Sequence, residues 1–183
     1  MQLSDLAELR AEQIAEAARI LREAIAGPSY KGAGEAEAEV TTFLGGDPER
    51  FALAALNGER LLGWVGGVRD YSHSLQLHPL VVDPPLHRQG IGRALVTTLE
   101  ARAAEEGFLA IHLGTDDDFG GSNLFGADIF PDALTKLAGI APMPRGHPFF
   151  FYRKLGFEPV GVIPDANGFG KPDLLMSKRL PMR

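Results

Sequence analysis

The run Leu80-Val81-Val82-Asp83-Pro84-Pro85-Leu86-His87-Arg88-Gln89-Gly90-Ile91-Gly92-Arg93-Ala94-Leu95 limits the possible folds more than any other part of the chain. An apolar, β-branched stretch meets two prolines that a central strand does not accept, then passes two glycines into helical spacing. A strand from Leu75 to Val82, stopped by Asp83-Pro84-Pro85, therefore feeds a helix from Gly90 to Glu106. Ile91, Ala94, Leu95, Thr98 and Leu99 fall on one stripe of that helix, and Gly107 ends it. Leu109 to Leu113 reads as a short buried strand, and the order strand, helix, strand predicts a right-handed crossover between parallel neighbours. The start of such a helix offers unpaired N–H groups and the positive end of its dipole, which suits a pyrophosphate. Gly90 and Gly92 lack the Cβ atoms that would keep phosphate oxygens away from the amides of Gln89 to Arg93, Ile91 included, and Arg88 and Arg93 add charge at the rim. A P-loop is excluded because no Gly-Lys-Ser/Thr follows, and a dinucleotide fingerprint because Leu95 stands where its third glycine belongs. On these residues alone, a glycine-eased turn without a ligand stays open.

The remaining chain fits one α/β domain over 1–183. Apolar positions from about Arg10 to Ala26 recur at helical spacing, and Gly27-Pro28 closes that helix. Tyr30 to Gly46 reads as a short second helix whose Glu35, Glu37 and Glu39 form a solvated face. Phe51 to Leu56 and Leu61 to Val68 flank Asn57-Gly58, a pair suited to a hairpin turn. Gly114 to Gly126 is too polar for core and long enough to be a functional loop. Ile129 to Ile140 reads as a helix with Leu134, Leu137 and Ala138 inward, and Pro148 to Leu155 as a short helix with His147 as its cap. Phe157 to Ile163 and Leu174 to Ser177 finish as strands. The 183 residues contain no cysteine, which removes disulfides, thiolate nucleophiles and cysteine-ligated zinc. A net charge of -6 argues against nonspecific nucleic-acid binding and leaves cationic small molecules as partners. No stretch is apolar for long enough to span a bilayer, and Met1 to Arg10 lacks the pattern of a secretory signal, so a cytoplasmic, membrane-free protein is expected. No metal site is expected either, since the histidines lack zinc spacing and Asp116 to Asp118 lacks the register of a calcium loop.

A second segment, Phe150-Phe151-Tyr152-Arg153-Lys154-Leu155-Gly156-Phe157-Glu158, is a helix running into a strand with a tyrosine four residues before its glycine stop. Together the two segments resemble the glycine motif and the tyrosine motif of the GNAT N-acetyltransferases. The family pattern Gln/Arg-x-x-Gly-x-Gly/Ala is met at Gly90 and Gly92, with His87 standing where Gln or Arg is usual. The resemblance covers roughly Leu61 to Leu180. It implies a mixed, mostly antiparallel central sheet flanked by helices, and acetyl-CoA bound through backbone groups of Leu80, Val81 and Val82 and by the glycine turn. It further implies Tyr152 as the acid that meets the leaving thiolate. An alkylammonium with a pKa near 10.4 must lose a proton before attack. His78, on the cofactor strand, is the candidate base, with Asp70, His73, Asp83 and His112 nearby.

Closer similarity lies in Leu77-His78-Pro79-Leu80-Val81-Val82, Leu113-Gly114-Thr115-Asp116-Asp117, Gly146-His147-Pro148 and Pro164-Asp165-Ala166-Asn167-Gly168-Phe169-Gly170-Lys171-Pro172-Asp173. These resemble a GNAT subgroup described as aminoglycoside 6′-N-acetyltransferases, and imply direct transfer of acetyl to a primary amine. Asp116, Asp117, Asp118, Asp165 and Asp173 lie in loops where carboxylates could receive a polycation, although turn formation accounts for several of them without a ligand. Ser122-Asn123-Leu124-Phe125 departs from the subgroup's more polar string. Other small amines, peptide N-termini, or CoA binding without turnover stay open as alternatives, as does a homodimer.

Overall fold

The computed structural model describes residues 1–25 and 28–181. Its elements are β1 (Gln2–Asp5), α1 (Ala11–Ala24), α2 (Glu35–Thr41), β2 (Arg50–Asn57), β3 (Arg60–Val68), β4 (Ser74–Val82), α3 (Ile91–Glu105), β5 (Ala110–Asp116), α4 (Ala133–Ala138), α5 (Pro148–Lys154), β6 (Glu158–Ile163) and β7 (Asp173–Arg179). They fall into two compact units, Met1–Ile111 with the chain end from Leu180, and His112–Arg179. No helix among the described residues is long and apolar enough to cross a membrane.

In the first unit β1, β2, β3 and β4 pair in sequence order, each antiparallel to the next. The sequence reading missed β1, a four-residue strand too short and polar to declare itself before pairing with β2. α1 starts where the Gln13 side chain accepts the Arg10 N–H at 3.1 Å. It turns Ala17, Ala18, Ile20 and Leu21 inward. There they meet Val40 and Phe43 from the α2 region and Trp64 from β3 in one core. Ala26 and Gly27, the expected end of the helix, lie outside the described residues. The hairpin forms one step later than expected: Asn57 pairs with Arg60, so its turn is Gly58-Glu59, with Gly58 at φ 58°. A left-handed first turn position favours glycine, and the chain shifts to place Gly58 there. Close strand packing explains Gly66, where a Cβ would lie 2.1 Å from the His78 carbonyl oxygen.

In the second unit β7 lies between β5 and β6 and runs antiparallel to β6. β5 and β7 are longer than expected. Asp116 therefore closes β5 and Asp173 opens β7, so both aspartates expected in loops are strand ends. α4 is shorter than the expected Ile129–Ile140, because Pro131 and the left-handed Asp132 (φ 66°) delay its start. Leu137 alone of its expected inward residues is buried, while Leu134 and Ala138 are exposed. α5 forms as expected, with Pro148 in its first turn and His147 as its cap.

Candidate active site

The glycine turn is built from the end of β4. Asp83 N–H donates to the Leu62 carbonyl at 2.9 Å, which makes Asp83 and Leu62 a hydrogen-bonded pair across the ladder. Trp64 faces Val81 and Val65 faces Leu80 in the same register. Because antiparallel pairs alternate, Val81 also directs its N–H and C=O to β3, while Leu80 and Val82 turn theirs away. This corrects the expected trio: Val81 is committed to the ladder with β3, while the backbone groups of Leu80 and the N–H of Val82 face the other side. The Val82 carbonyl in turn accepts from His87 Nε2 at 2.9 Å. His87 thus ties the turn back to the strand, a side-chain role that the sequence motif did not reveal.

Beyond His87 the backbone is left-handed at Arg88 (φ 64°) and again at Gly90 (φ 85°). A Cβ on Gly90 would meet nothing within 4 Å, and no side chain caps α3. The first N–H groups of α3 have no carbonyl within the helix to bond. Arg88 and Arg93 are exposed and form no salt bridge among the described residues. Open space over a glycine, free amides and two unpaired guanidinium groups suit a pyrophosphate.

His78 lies on β4 with its side chain 42% exposed. Its Nε2 is 3.2 Å from the Tyr30 hydroxyl and 3.5 Å from Glu39 Oε1. With Nε2 so directed, Nδ1 is left without a partner among the described residues. The His78 imidazole holds the Glu39 carboxyl below its ordinary range, against the opposing effect of burial. Glu39, read from sequence as part of a solvated face, is instead a half-buried neighbour of the candidate base. Asp83 drops out as a base because both of its oxygens are taken by Arg19 and Arg60, each at 3.0 Å.

In the second unit Tyr152 lies on α5, 7% exposed. Its ring packs edge-on against Phe151 and Phe157 at 5.1 and 5.5 Å. The hydroxyl makes no hydrogen bond among the described residues. Burial raises its pKa above the usual phenol value, so the proton stays on the oxygen at neutral pH. His147 anchors the start of α5: Nδ1 accepts from Phe149 N–H at 3.1 Å. Nε2 must therefore carry the hydrogen that reaches the Asp116 carbonyl at 3.0 Å. Burial lowers the pKa of this imidazole, consistent with a neutral anchor.

The five expected acceptor carboxylates separate into two groups. Asp117 is fully buried. Its oxygens accept from the N–H groups of Gly120, Gly121 and Ser122 at 3.1, 2.8 and 2.8 Å, so it organises the loop from within and is corrected from ligand to scaffold. Asp165 is left-handed (φ 56°) and accepts from Gly170 N–H at 2.7 Å, a turn-forming role. Asp116 is exposed and accepts from Asn167 Nδ2 at 2.5 Å, and Asp118 is half-buried.

Asp173 Oδ1 is buried without a hydrogen-bond partner. A Cβ on Gly114 would lie 2.7 Å from Asp173 Oδ2, so that glycine makes room for the carboxylate. Burial, and then the charge of Asp116, push the Asp173 carboxyl up to about 6, against the pull of the Thr115 and Leu174 amides. The unfolded chain loses this proton near 3.9. Asp173 therefore favours folding below that pH, and the contribution is lost as pH rises toward 6. Asp173→Asn is expected to raise Tm at pH 7 by a few degrees and to leave it unchanged at pH 4. Thermal melts at the two pH values check this, and an equal gain at both would contradict it.

The fold and the turn define an acyltransferase that takes its acyl group from a CoA thioester. The family model described as Acetyltransferase (GNAT) family matches residues 17–123, and the chain belongs to that family. Across 100% of this chain and 99% of the other, it is 36% identical to the crystal structure of an aminoglycoside 6'-N-acetyltransferase complexed with coenzyme A, with a TM-score of 0.90. The crystal structure of the aminoglycoside 6'-N-acetyltransferase from Enterococcus faecium is also 36% identical over the same shares, with a TM-score of 0.87. An aminoglycoside 6'-acetyltransferase type Ii is 32% identical, again over 100% and 99%, with a TM-score of 0.74. No curated protein sequence matches the chain. The protein is an acetyl-CoA-dependent N-acetyltransferase, with the mixed, mostly antiparallel sheet and flanking helices of its family.

Proposed function

We propose that this acetyltransferase modifies a primary amine of a polycationic small molecule, with the 6′-amine of an aminoglycoside as the first acceptor, and that residues 1–183 act as one domain. The observation that carries the reading is the carboxylate group at the ends of β5 and β7, where Asp116 is exposed and Asp173 holds a buried oxygen without a partner. Asp118 adds to its charge. The full-length structures named as aminoglycoside 6'-N-acetyltransferases at 36% identity support the same acceptor class.

In this mechanism the backbone groups of Leu80, the N–H of Val82 and the amides of Gln89 to Arg93 bind acetyl-CoA, with Arg88 and Arg93 facing its phosphates. His78 removes a proton from the acceptor ammonium through Nδ1. The amine nitrogen then bonds to the acetyl carbonyl carbon, the carbon–sulfur bond breaks and the sulfur takes the Tyr152 proton, while the nitrogen releases its surplus proton, which restores the Tyr152 phenol. Transfer is direct: the chain has no cysteine to carry the acetyl group. Action in the cytoplasm belongs to the same proposal, as does a homodimer covering Val160 and Ile163, which are 61% and 49% exposed on β6.

Thiol release from acetyl-CoA in the presence of kanamycin-like, polyamine and peptide amines tests the acceptor. Turnover is expected with kanamycin-like amines. Turnover with peptides alone would transfer the assignment to N-terminal acetylation, and CoA binding without turnover on any amine would leave a non-catalytic module.

A further inference from the structure

Asp83 is an unusual residue to bury. It immediately follows β4 and is 3% exposed. All four of its polar groups are engaged. Its N–H donates to Leu62 and its carbonyl accepts from Leu86 N–H, at 2.9 and 2.8 Å. Oδ1 accepts from Arg19 on α1 and Oδ2 from Arg60 at the start of β3, both at 3.0 Å. Arg19 is itself held by Glu16, at 2.6 Å, and by Glu23. Burial works to raise the Asp83 carboxyl, and the hydrogen bonds from Arg19 and Arg60 outweigh it, leaving the group ionised.

Asp83 alone of the three is buried, since Arg19 and Arg60 are 34% and 58% exposed; desolvating its carboxylate is costly, and partners that stay in contact with water return little of that cost. The bridge therefore calls for an explanation other than stability, and its place in the chain supplies one. Between Asp83 and Gly90 the backbone must leave β4, make the 3-10 turn Pro84–Leu86, and pass two left-handed residues. Among the described residues two side chains tie this excursion back, Asp83 to Arg19 and Arg60 at its root and His87 to the Val82 carbonyl. We propose that the Arg19–Asp83–Arg60 bridge is a positioning device for acetyl-CoA: it fixes the exit from β4 so that the Gln89–Arg93 amides are aimed at the pyrophosphate before it arrives. The inference rests on the reading above that this turn receives the pyrophosphate. Preorganisation removes the ordering cost from binding, and loosening the root returns it as weaker affinity.

The test compares two donors, acetyl-CoA and S-acetylpantetheine, which carries the same thioester but no pyrophosphate. Asp83→Asn keeps the size and the backbone bonds while removing the charge between the two arginines. For acetyl-CoA, KM is expected to rise about 10-fold with kcat nearly unchanged, as for a turn competent a tenth of the time. For S-acetylpantetheine, kcat/KM is expected to stay at the wild-type level. Should Asp83→Asn fail to fold, Arg60→Gln tests the same split in milder form, since the Arg60 side chain is 58% exposed. An unchanged KM for acetyl-CoA overturns the proposal, and so does an equal loss with both donors, which would mark the bridge as scaffolding alone. A wild-type enzyme that uses both donors equally well overturns the turn's role in pyrophosphate binding, a failure of the underlying reading distinct from the other two.

Discussion

Tyr152→Phe is expected to lower kcat by about 10- to 100-fold while leaving acetyl-CoA affinity nearly unchanged, because it deletes one oxygen and its proton from a ring that packs in place. That ring is held by Phe151 and Phe157, and neither contact involves the hydroxyl. Burial keeps the phenol protonated, so this group adds no limb to the rate profile at neutral or acidic pH. Thiolates leave with a pKa near 8.5 and need little help, which puts the expected effect at the lower reach of acid catalysis. Steady-state kinetics with calorimetry of CoA binding checks both halves. Undiminished kcat would remove Tyr152 from the reaction, and a fall in affinity matching the fall in rate would make it a binding residue instead.

Trp64→Ala is expected to cost about 3–5 kcal/mol of stability, a large share of the roughly 5–15 kcal/mol available to a domain. Trp64 is fully buried, meets Phe43 edge-on at 5.7 Å, and donates its indole N–H to the Ala17 carbonyl at 3.1 Å. It joins α1 to the sheet and stands opposite Val81, so its loss loosens the strand that precedes the glycine turn. Trp64→Phe fills most of the space and loses the hydrogen bond, for a cost nearer 1 kcal/mol. Denaturant unfolding of both variants gives the comparison. Equal losses would mean that the hydrogen bond, and not the buried volume, carries the stability.

Local chemistry made the two family motifs readable. Asp83-Pro84-Pro85 and Gly90 punctuate the chain where β4 ends and α3 begins, and Pro148 and Gly156 bracket the tyrosine helix. Boundaries failed where pairing overrode propensity: β1 exists because β2 offers it an edge, and the hairpin turn moved to Gly58-Glu59 to suit the register. The site was less legible than the fold. Glu39 and Tyr30 reach His78 from distant parts of the chain, and no periodicity announces that meeting. Asp116 and Asp117 are adjacent and identical in type, yet one faces outward and the other collects backbone amides. Only folding separates them, because the three donors that turn Asp117 inward become neighbours after the loop closes.

The inward aspartate has an evolutionary corollary. The first turn of this loop takes its curvature from one carboxylate and three main-chain donors, and so does not depend on the identity of the side chains at Asp116 and Asp118. Mutation can rewrite the rim at Asp116 and Asp118 while the hub persists, as tools are exchanged on a fixed handle. On the proposed acceptor site, diversification toward new amines proceeds by small surface changes, with Asp117 and its two glycines the last to vary.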